Sequence, residues 1–172
     1  MQALLLDKLY SYIGQNMESI AKQCDFPWLN RKGDGGQLIE QLLGIQSSSA
    51  KGPDLPEIGL EIKTLPIDKE FRVLENTHIC KITLPFSETD FFRSSLWLKT
   101  RHILFVPIIG QRKTPMCDKI LAQPFFWQAQ SCDMECLKQD WFELSSLLRT
   151  GCFEKINAKI GECLHIRPKA AH

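Results

Sequence analysis

Long apolar runs are missing from this 172-residue chain. The longest, Ile103-Leu104-Phe105-Val106-Pro107-Ile108-Ile109, falls far short of the ~20 residues that a membrane-crossing helix needs, so no membrane association is expected. Residues Met1 to Lys8 lack the basic segment of a secretory leader, which points to a cytoplasmic location. No Cys-x-x-Cys pair occurs among the seven cysteines, and Cys132-x3-Cys136 has no second Cys/His pair at zinc-finger spacing. Free thiols in a reducing cell are expected, rather than a zinc site or a disulfide-stapled scaffold. Glycine-rich phosphate loops and Gly-x-Ser-x-Gly elbows are absent too. With only 10 Gly and 9 Pro, the chain is neither collagen-like nor a linker.

What is present is the composition of an ordinary globule, 44% hydrophobic and 24% charged, of a length that suits one domain over residues 1–172. An apolar stripe of Leu5, Leu9, Ile13, Met17 and Ile20 predicts helix over 3–23, weakened at Gly14 and restarted by Asn16 as an N-cap. A short helix through Leu38–Leu43 should end at Gly44, and Ser47 to Pro53 reads as a turn-rich connection. Strands are expected at Ile58–Ile67, His78–Leu84 and His102–Ile109, with a turn over 110–115. Met134, Leu137, Trp141, Leu144 and Leu148 recur at steps of three and four, predicting a helix over 132–151 closed by Gly151. Cys163–Arg167 reads as a last short strand ended by Pro168. Phe125-Phe126-Trp127 and the four tryptophans, at 28, 97, 127 and 141, read as core or hinge packing. The fold class is mixed α/β.

Net charge is only +1, but its layout is uneven. Phe91 to Cys117 holds no Asp or Glu while carrying Arg93, Lys99, Arg101, Arg112 and Lys113. The last eighteen residues are also basic, whereas Asp54 to Glu75 is acidic. Basic segments on either side of an acidic one suit a polyanion gripped around a cation-binding centre, although solvated faces alone would look the same.

The stretch Pro53-Asp54-Leu55-Pro56-Glu57-Ile58-Gly59-Leu60-Glu61-Ile62-Lys63-Thr64 carries the chemistry. In a strand, Glu61 and Lys63 project to one face while Leu60, Ile62 and Thr64 face the other. Charges within an apolar strand are costly unless neutralised, and a divalent metal with a phosphodiester would neutralise both. Asp54 and Glu61 are hard oxygen donors, and Lys63 is a cation suited to a phosphate and its attacking water. Composition alone predicts about 1.6 acid-x-Lys triplets in such a chain, so the triplet by itself distinguishes nothing. Its weight comes from Asp54 upstream, Glu40 on a helix and the basic segment downstream.

Asp54-x6-Glu61-x-Lys63 resembles the signature of restriction-endonuclease-like nucleases. Gly59-Leu60-Glu61-Ile62-Lys63-Thr64-Leu65-Pro66, Asp140-Trp141-Phe142-Glu143-Leu144 and Ile166-Arg167-Pro168-Lys169-Ala170-Ala171 are similar to the MutH family, the strand-nicking endonucleases of methyl-directed mismatch repair. The resemblance runs from about residue 25 to the end. It implies a restriction-endonuclease-like mixed β-sheet flanked by helices, with one or two Mg²⁺ ions held by Asp54, Glu61, Glu40 and the Ile62 carbonyl. It also implies Lys63 as catalytic lysine and Lys99 as a second active-site lysine, with Arg101 a possible substitute. Lys32-Gly33, Arg101, Arg167 and Lys169 would then contact DNA. The implied activity is nicking of the unmethylated strand 5′ to the G of GATC. The implied partners are double-stranded DNA containing GATC, MutL as activator and, indirectly, MutS, with the protein acting as a monomer.

Three departures accompany the resemblance. His78 stands where the family tends to have Phe, and Asp34 where an aromatic tends to follow Lys-Gly. The family's further C-terminal arm, with a methylation-sensing tyrosine and part of the surface linked to MutL, has no counterpart before His172. The expectation is a C-terminally shortened member whose metal chemistry persists, with methylation sensing and MutL activation left open. A catalytically impaired DNA-binding remnant of the family and a GATC-cutting restriction endonuclease are the alternatives.

Overall fold

A computed structural model of the chain describes residues 2–29, 31, 33–45 and 51–167. The chain divides into two compact units, residues 1–78 with 102–127, and residues 79–101 with 128–172.

The first unit is an α/β layer arrangement. Helix α1 (Gln2–Tyr10) and helix α2 (Met17–Gln23) are separated at the Gly14 break. Asn16 caps α2, its side-chain oxygen accepting the Ser19 N–H at 2.8 Å, so the restart follows the expected capping chemistry. Ile13, which one continuous stripe would bury, lies exposed in the break. Helix α3 (Asp34–Leu43) begins four residues before the periodic stretch and ends at Gly44 in a left-handed conformation. Its apolar face, Leu38, Ile39 and Leu43, is buried and packs with α1 and with strand β1 (Glu61–Ile67).

Strand β2 (His102–Ile109) occupies its predicted span and pairs parallel with β1, Glu61 opposite Ile103 and Lys63 opposite Phe105. Parallel neighbours require a crossover connection, and residues 79–101 of the second unit lie within it. The short β3 (Ile120–Leu121) runs antiparallel to β2, and β4 (Phe125–Gln128) also pairs with β2. The sheet is therefore mixed, with helices packed on it, as the fold class anticipated. Leu104, Val106 and Ile108 of β2 are wholly buried and join Leu9, Ile20 and Leu38 in one core. Phe125, expected in the core, is 44% exposed on β4, its ring 5.5 Å from that of Phe105.

In the second unit, helix α4 (Ser95–Thr100), capped by Ser94, precedes β2, and helix α5 (Ser131–Thr150) ends at Gly151. Trp141 of α5 is buried beside Phe91, ring centroids 5.9 Å apart, so it packs as core as its stripe implied.

Two expected strands do not form. His78–Leu84 is irregular, because Ile82 and Leu84 are exposed and no buried face rewards pairing. Among Cys163–Arg167 no strand is present, because this segment spends its first amides on Asp140 instead of a ladder. The free-thiol expectation also fails at two positions: Cys136 and Cys163 are joined in a disulfide, while Cys24, Cys80, Cys117, Cys132 and Cys152 are free thiols. Spacing along the sequence gave no sign of that pair, since its members lie 27 positions apart. Residues 47–50 of the expected turn-rich connection lie outside the described residues.

Candidate active site

The site is assembled where the chain enters β1. Leu55 and Leu60 form an isolated antiparallel bridge, with the Leu55 N–H donating to the Leu60 carbonyl at 2.9 Å and the reciprocal bond at 3.1 Å. Pro56 to Gly59 turn within that bridge, with Gly59 at φ +61°, a conformation that favours glycine. The tight loop returns Asp54 to the strand, where its Oδ2 accepts the Ile62 N–H at 2.8 Å.

Glu61 and Lys63 leave β1 on the same side, as the two-residue strand period requires. The Lys63 ammonium donates to Glu61 Oε1 at 2.6 Å. Glu61 is almost completely buried, its side chain 1% exposed, while that of Lys63 is 20% exposed. A carboxylate this deep is sustained by a charge-assisted partner. The ammonium, by contrast, keeps one side toward solvent and is reachable by an incoming anion.

Strand geometry places a further oxygen here. An extended residue directs its N–H and C=O to the same side of the strand. The Ile62 N–H goes to Asp54 and not to β2, and β1 is the outer strand of the sheet. The Ile62 carbonyl therefore points to the Asp54 side. Asp54, Glu61 and the Ile62 carbonyl are all hard oxygen donors, the chemistry that Mg²⁺ takes, so the residues present fit a hard divalent ion.

Glu40 lies in the last turn of α3, the helix that packs on β1, and its Oε2 is shielded from solvent. Among the described residues, Glu40, Asp54 and Glu61 do not bring three ligand atoms within 4.8 Å of one another. Each of Asp54 and Glu61 is instead held by a donor from β1 itself.

The remaining candidates distribute as follows. Gly33 is the exposed residue before α3, at φ +110°. Lys32 and Lys169 lie outside the described residues. Lys99 is half-buried in α4, and Arg101 just beyond it is exposed; both belong to the second unit. Arg167, also of the second unit, is exposed.

Asp34 resolves one departure noted in the sequence. It is 4% exposed, and its Oδ2 accepts the N–H groups of Leu29 at 3.0 Å and Arg31 at 2.9 Å. The carboxylate thus fixes the loop ahead of α3 from inside. Sequence reasoning missed this role, although an Asp opening a helix after Lys-Gly is the available signal. Asp140 was also missed as a structural clamp: it accepts three backbone N–H groups from residues 162–164.

The family model described as "DNA mismatch repair enzyme MutH" matches residues 43–140, a span that includes Asp54, Glu61, Lys63 and Asp140. The chain is similar to the DNA mismatch repair protein MutH of Shewanella baltica (strain OS185), with 35% identity over 173 residues, covering 98% of this chain and 78% of the relative. The protein of the same name from Serratia proteamaculans (strain 568) is 37% identical over 142 residues, covering 82% of this chain and 62% of that one. That of Shewanella sp. (strain ANA-3) is 38% identical over 142 residues, covering 82% of this chain and 64% of that one. This similarity along nearly the whole sequence leads to one assignment: the chain belongs to the MutH family of DNA mismatch repair enzymes.

Proposed function

We propose that the protein is a Mg²⁺-dependent DNA endonuclease of methyl-directed mismatch repair that nicks the unmethylated strand at GATC sites. The observation that carries this reading is the buried Glu61 carboxylate bonded to the Lys63 ammonium, next to Asp54 anchored on the Ile62 amide. A bound Mg²⁺ supplies Lewis acidity toward the phosphodiester and a more acidic water. Asp54, Glu61 and the Ile62 carbonyl would hold it, with Glu40 the additional acid from α3.

The chain's own residues do the rest. Glu61, bonded to the Lys63 ammonium, presents its carboxyl oxygens at a fixed position without a rotamer search. Lys63 orients the attacking water and offsets charge that grows on the phosphate oxygens. Lys99 is assigned a second cationic role at the phosphate, and Arg101 is its substitute. Lys32, Gly33, Arg101, Arg167 and Lys169 are assigned to the DNA, where lysines and arginines neutralise phosphates and set position. MutL is the proposed activator, with MutS acting through it, and the protein works as a cytoplasmic monomer.

The test is direct. Supercoiled plasmid carrying GATC sites is incubated with the protein and Mg²⁺, with and without MutL. Nicked circles from wild type, lost with Lys63→Ala and absent on fully methylated plasmid, are the expected result. Equal nicking by wild type and Lys63→Ala overturns the role of Lys63. Linear product formed without MutL overturns the repair reading in favour of a restriction-type cleavage.

A further inference from the structure

Outside the nuclease site, one cluster in the second unit combines reactive atoms with a built scaffold. Cys136 and Asp140 lie one helical turn apart on α5 and so share a face. The Asp140 Oδ2 accepts the N–H groups of Cys163 at 2.7 Å and Leu164 at 2.8 Å, and its Oδ1 accepts that of Glu162 at 3.0 Å. Three successive amides are thus fastened to one buried carboxylate. Gly161 turns the chain into this clamp at φ +85°, and a Cβ there would strike the Leu164 carbonyl oxygen. Cys163 is thereby delivered to Cys136 by bonds that do not involve sulfur, with Cα atoms 6.5 Å apart, inside the span a disulfide bridges.

We propose that Cys136 and Cys163 form a reversible dithiol–disulfide site that latches residues 161–164 onto α5. The chemical partner is a low-molecular-weight disulfide of the glutathione type in one direction and a dithiol reductant in the other. Cys163 is exposed and Cys136 half-buried, so the Cys163 thiolate makes the first attack. That step forms a mixed disulfide and releases one small thiol. The Cys136 thiolate then attacks Cys163 Sγ, the protein disulfide forms and the second small thiol leaves. Two protein thiols are oxidised, one small disulfide is reduced, and the two protons leave on the two released thiols. Reduction reverses each step.

The turn competes with a metal centre for Asp140 at the same place. The ligand atoms of Cys136, Asp140 and Cys163 lie within 4.8 Å of one another, a donor set that zinc accepts. The Asp140 carboxylate, however, already spends both oxygens on the turn. The exposed Cys132, one turn before Cys136 on the same helix, provides an internal control with no such clamp.

The full chain is equilibrated in buffers of graded reduced-to-oxidised glutathione ratio, quenched by alkylation, digested and analysed by mass spectrometry. The expected result is a Cys136–Cys163 linked peptide that forms at ratios where Cys132 is still alkylated. Hydrogen exchange at 162–164 should slow about tenfold on oxidation of wild type and stay constant in Cys136→Ser. Asp140→Asn should shift the ratio for half-oxidation by about tenfold toward oxidant, because Cys163 is no longer presented. Accumulation of glutathionylated Cys163 without closure onto Cys136 overturns the proposal. So does protection of both thiols from alkylation by equimolar Zn²⁺ in the reduced wild type, which would assign the pair to a metal. The wild-type titration needs no variant, so it decides the matter even where Asp140→Asn fails to fold.

Discussion

Lys63 and Glu61 form an ion pair of 2.6 Å between two residues of a single strand, with the carboxylate buried and the ammonium partly open to solvent. An intra-strand pair of this kind stands on the same face by construction, so it requires no long-range packing to align it. Its stability depends on burial: the carboxylate has exchanged water for one ammonium and its protein surroundings. A phosphate arriving at the exposed side of Lys63 meets a cation whose position is already fixed.

Lys63→Ala is therefore expected to lose activity and some stability together. Removing the ammonium leaves Glu61 with less compensation for its burial, a cost of about 1–3 kcal/mol. Glu61→Gln combined with Lys63→Met removes both charges and should recover part of that stability while leaving nicking abolished. Urea denaturation midpoints for the single and double variants, beside the plasmid assay, separate the two effects. A double variant no more stable than Lys63→Ala would contradict the pairing argument.

Gly161→Ala should destabilise the second unit locally. The residue sits at φ +85°, and the added Cβ would meet both the Leu164 carbonyl and the Asp140 carboxylate. A cost of about 1–3 kcal/mol follows from a strained backbone and a loosened clamp. The measurement is hydrogen exchange at the amides of Glu162, Cys163 and Leu164, which should all speed up. Unchanged protection there would show that the turn does not depend on glycine.

The elements readable from the sequence were those whose signal is local. Asn16, Gly44 and Gly151 mark helix ends by their own chemistry, and His102–Ile109 is a continuous apolar run bounded by a basic turn. Glu61 and Lys63 could be placed on one face because a strand has a period of two. What stayed hidden needed distant partners. His78–Leu84 has the composition of a strand but no buried side to pair for. Cys163 meets Cys136 where Asp140 gathers the amides of residues 162–164, and nothing in the 27-residue spacing says so. Asp34 looks like an anion facing DNA until its two amide partners turn it inward. The role of Glu40 rests on family resemblance, which supplies what periodicity on an amphipathic helix cannot.

The turn after β1 should carry an acid-dependent stability. Asp68 Oδ1 accepts the amides of Glu70 at 3.0 Å and Arg72 at 2.9 Å, and its Oδ2 accepts Arg72 Nε at 2.7 Å. The Arg72 amide is the largest influence holding the carboxyl below its ordinary range; desolvation opposes it, and the Arg72 guanidinium and the Glu70 amide add smaller lowering contributions. A lowered folded-state value means the contribution is complete above the unfolded carboxylate pKa of about 3.9 and is lost as the pH falls through the lowered value. A carboxyl-carbon NMR titration of Asp68 should show the low midpoint. Arg72→Ala should move it part of the way back up, because the backbone amide of residue 72 remains, and Asp68→Asn should make protection of the Arg72 amide, relative to its intrinsic exchange rate, independent of pH in that range.

DNA affinity is expected to be weak and strongly dependent on salt. A net charge of +1 gives no long-range attraction for a polyanion as a whole, so binding must come from local groups such as Arg101 and Arg167, both exposed. Each phosphate neutralised by such a group releases counterions and adds about 0.9 to the slope of log affinity against log salt. Arg167→Ala should lower affinity across all sequences and reduce that slope by about one, whereas a lysine or arginine facing away from DNA would leave it unchanged. Fluorescence anisotropy with a GATC duplex at several salt concentrations measures both quantities. Nanomolar binding by the protein alone that does not respond to salt would show that contacts other than phosphate pairing dominate, and the basic segments would then lose their assigned role.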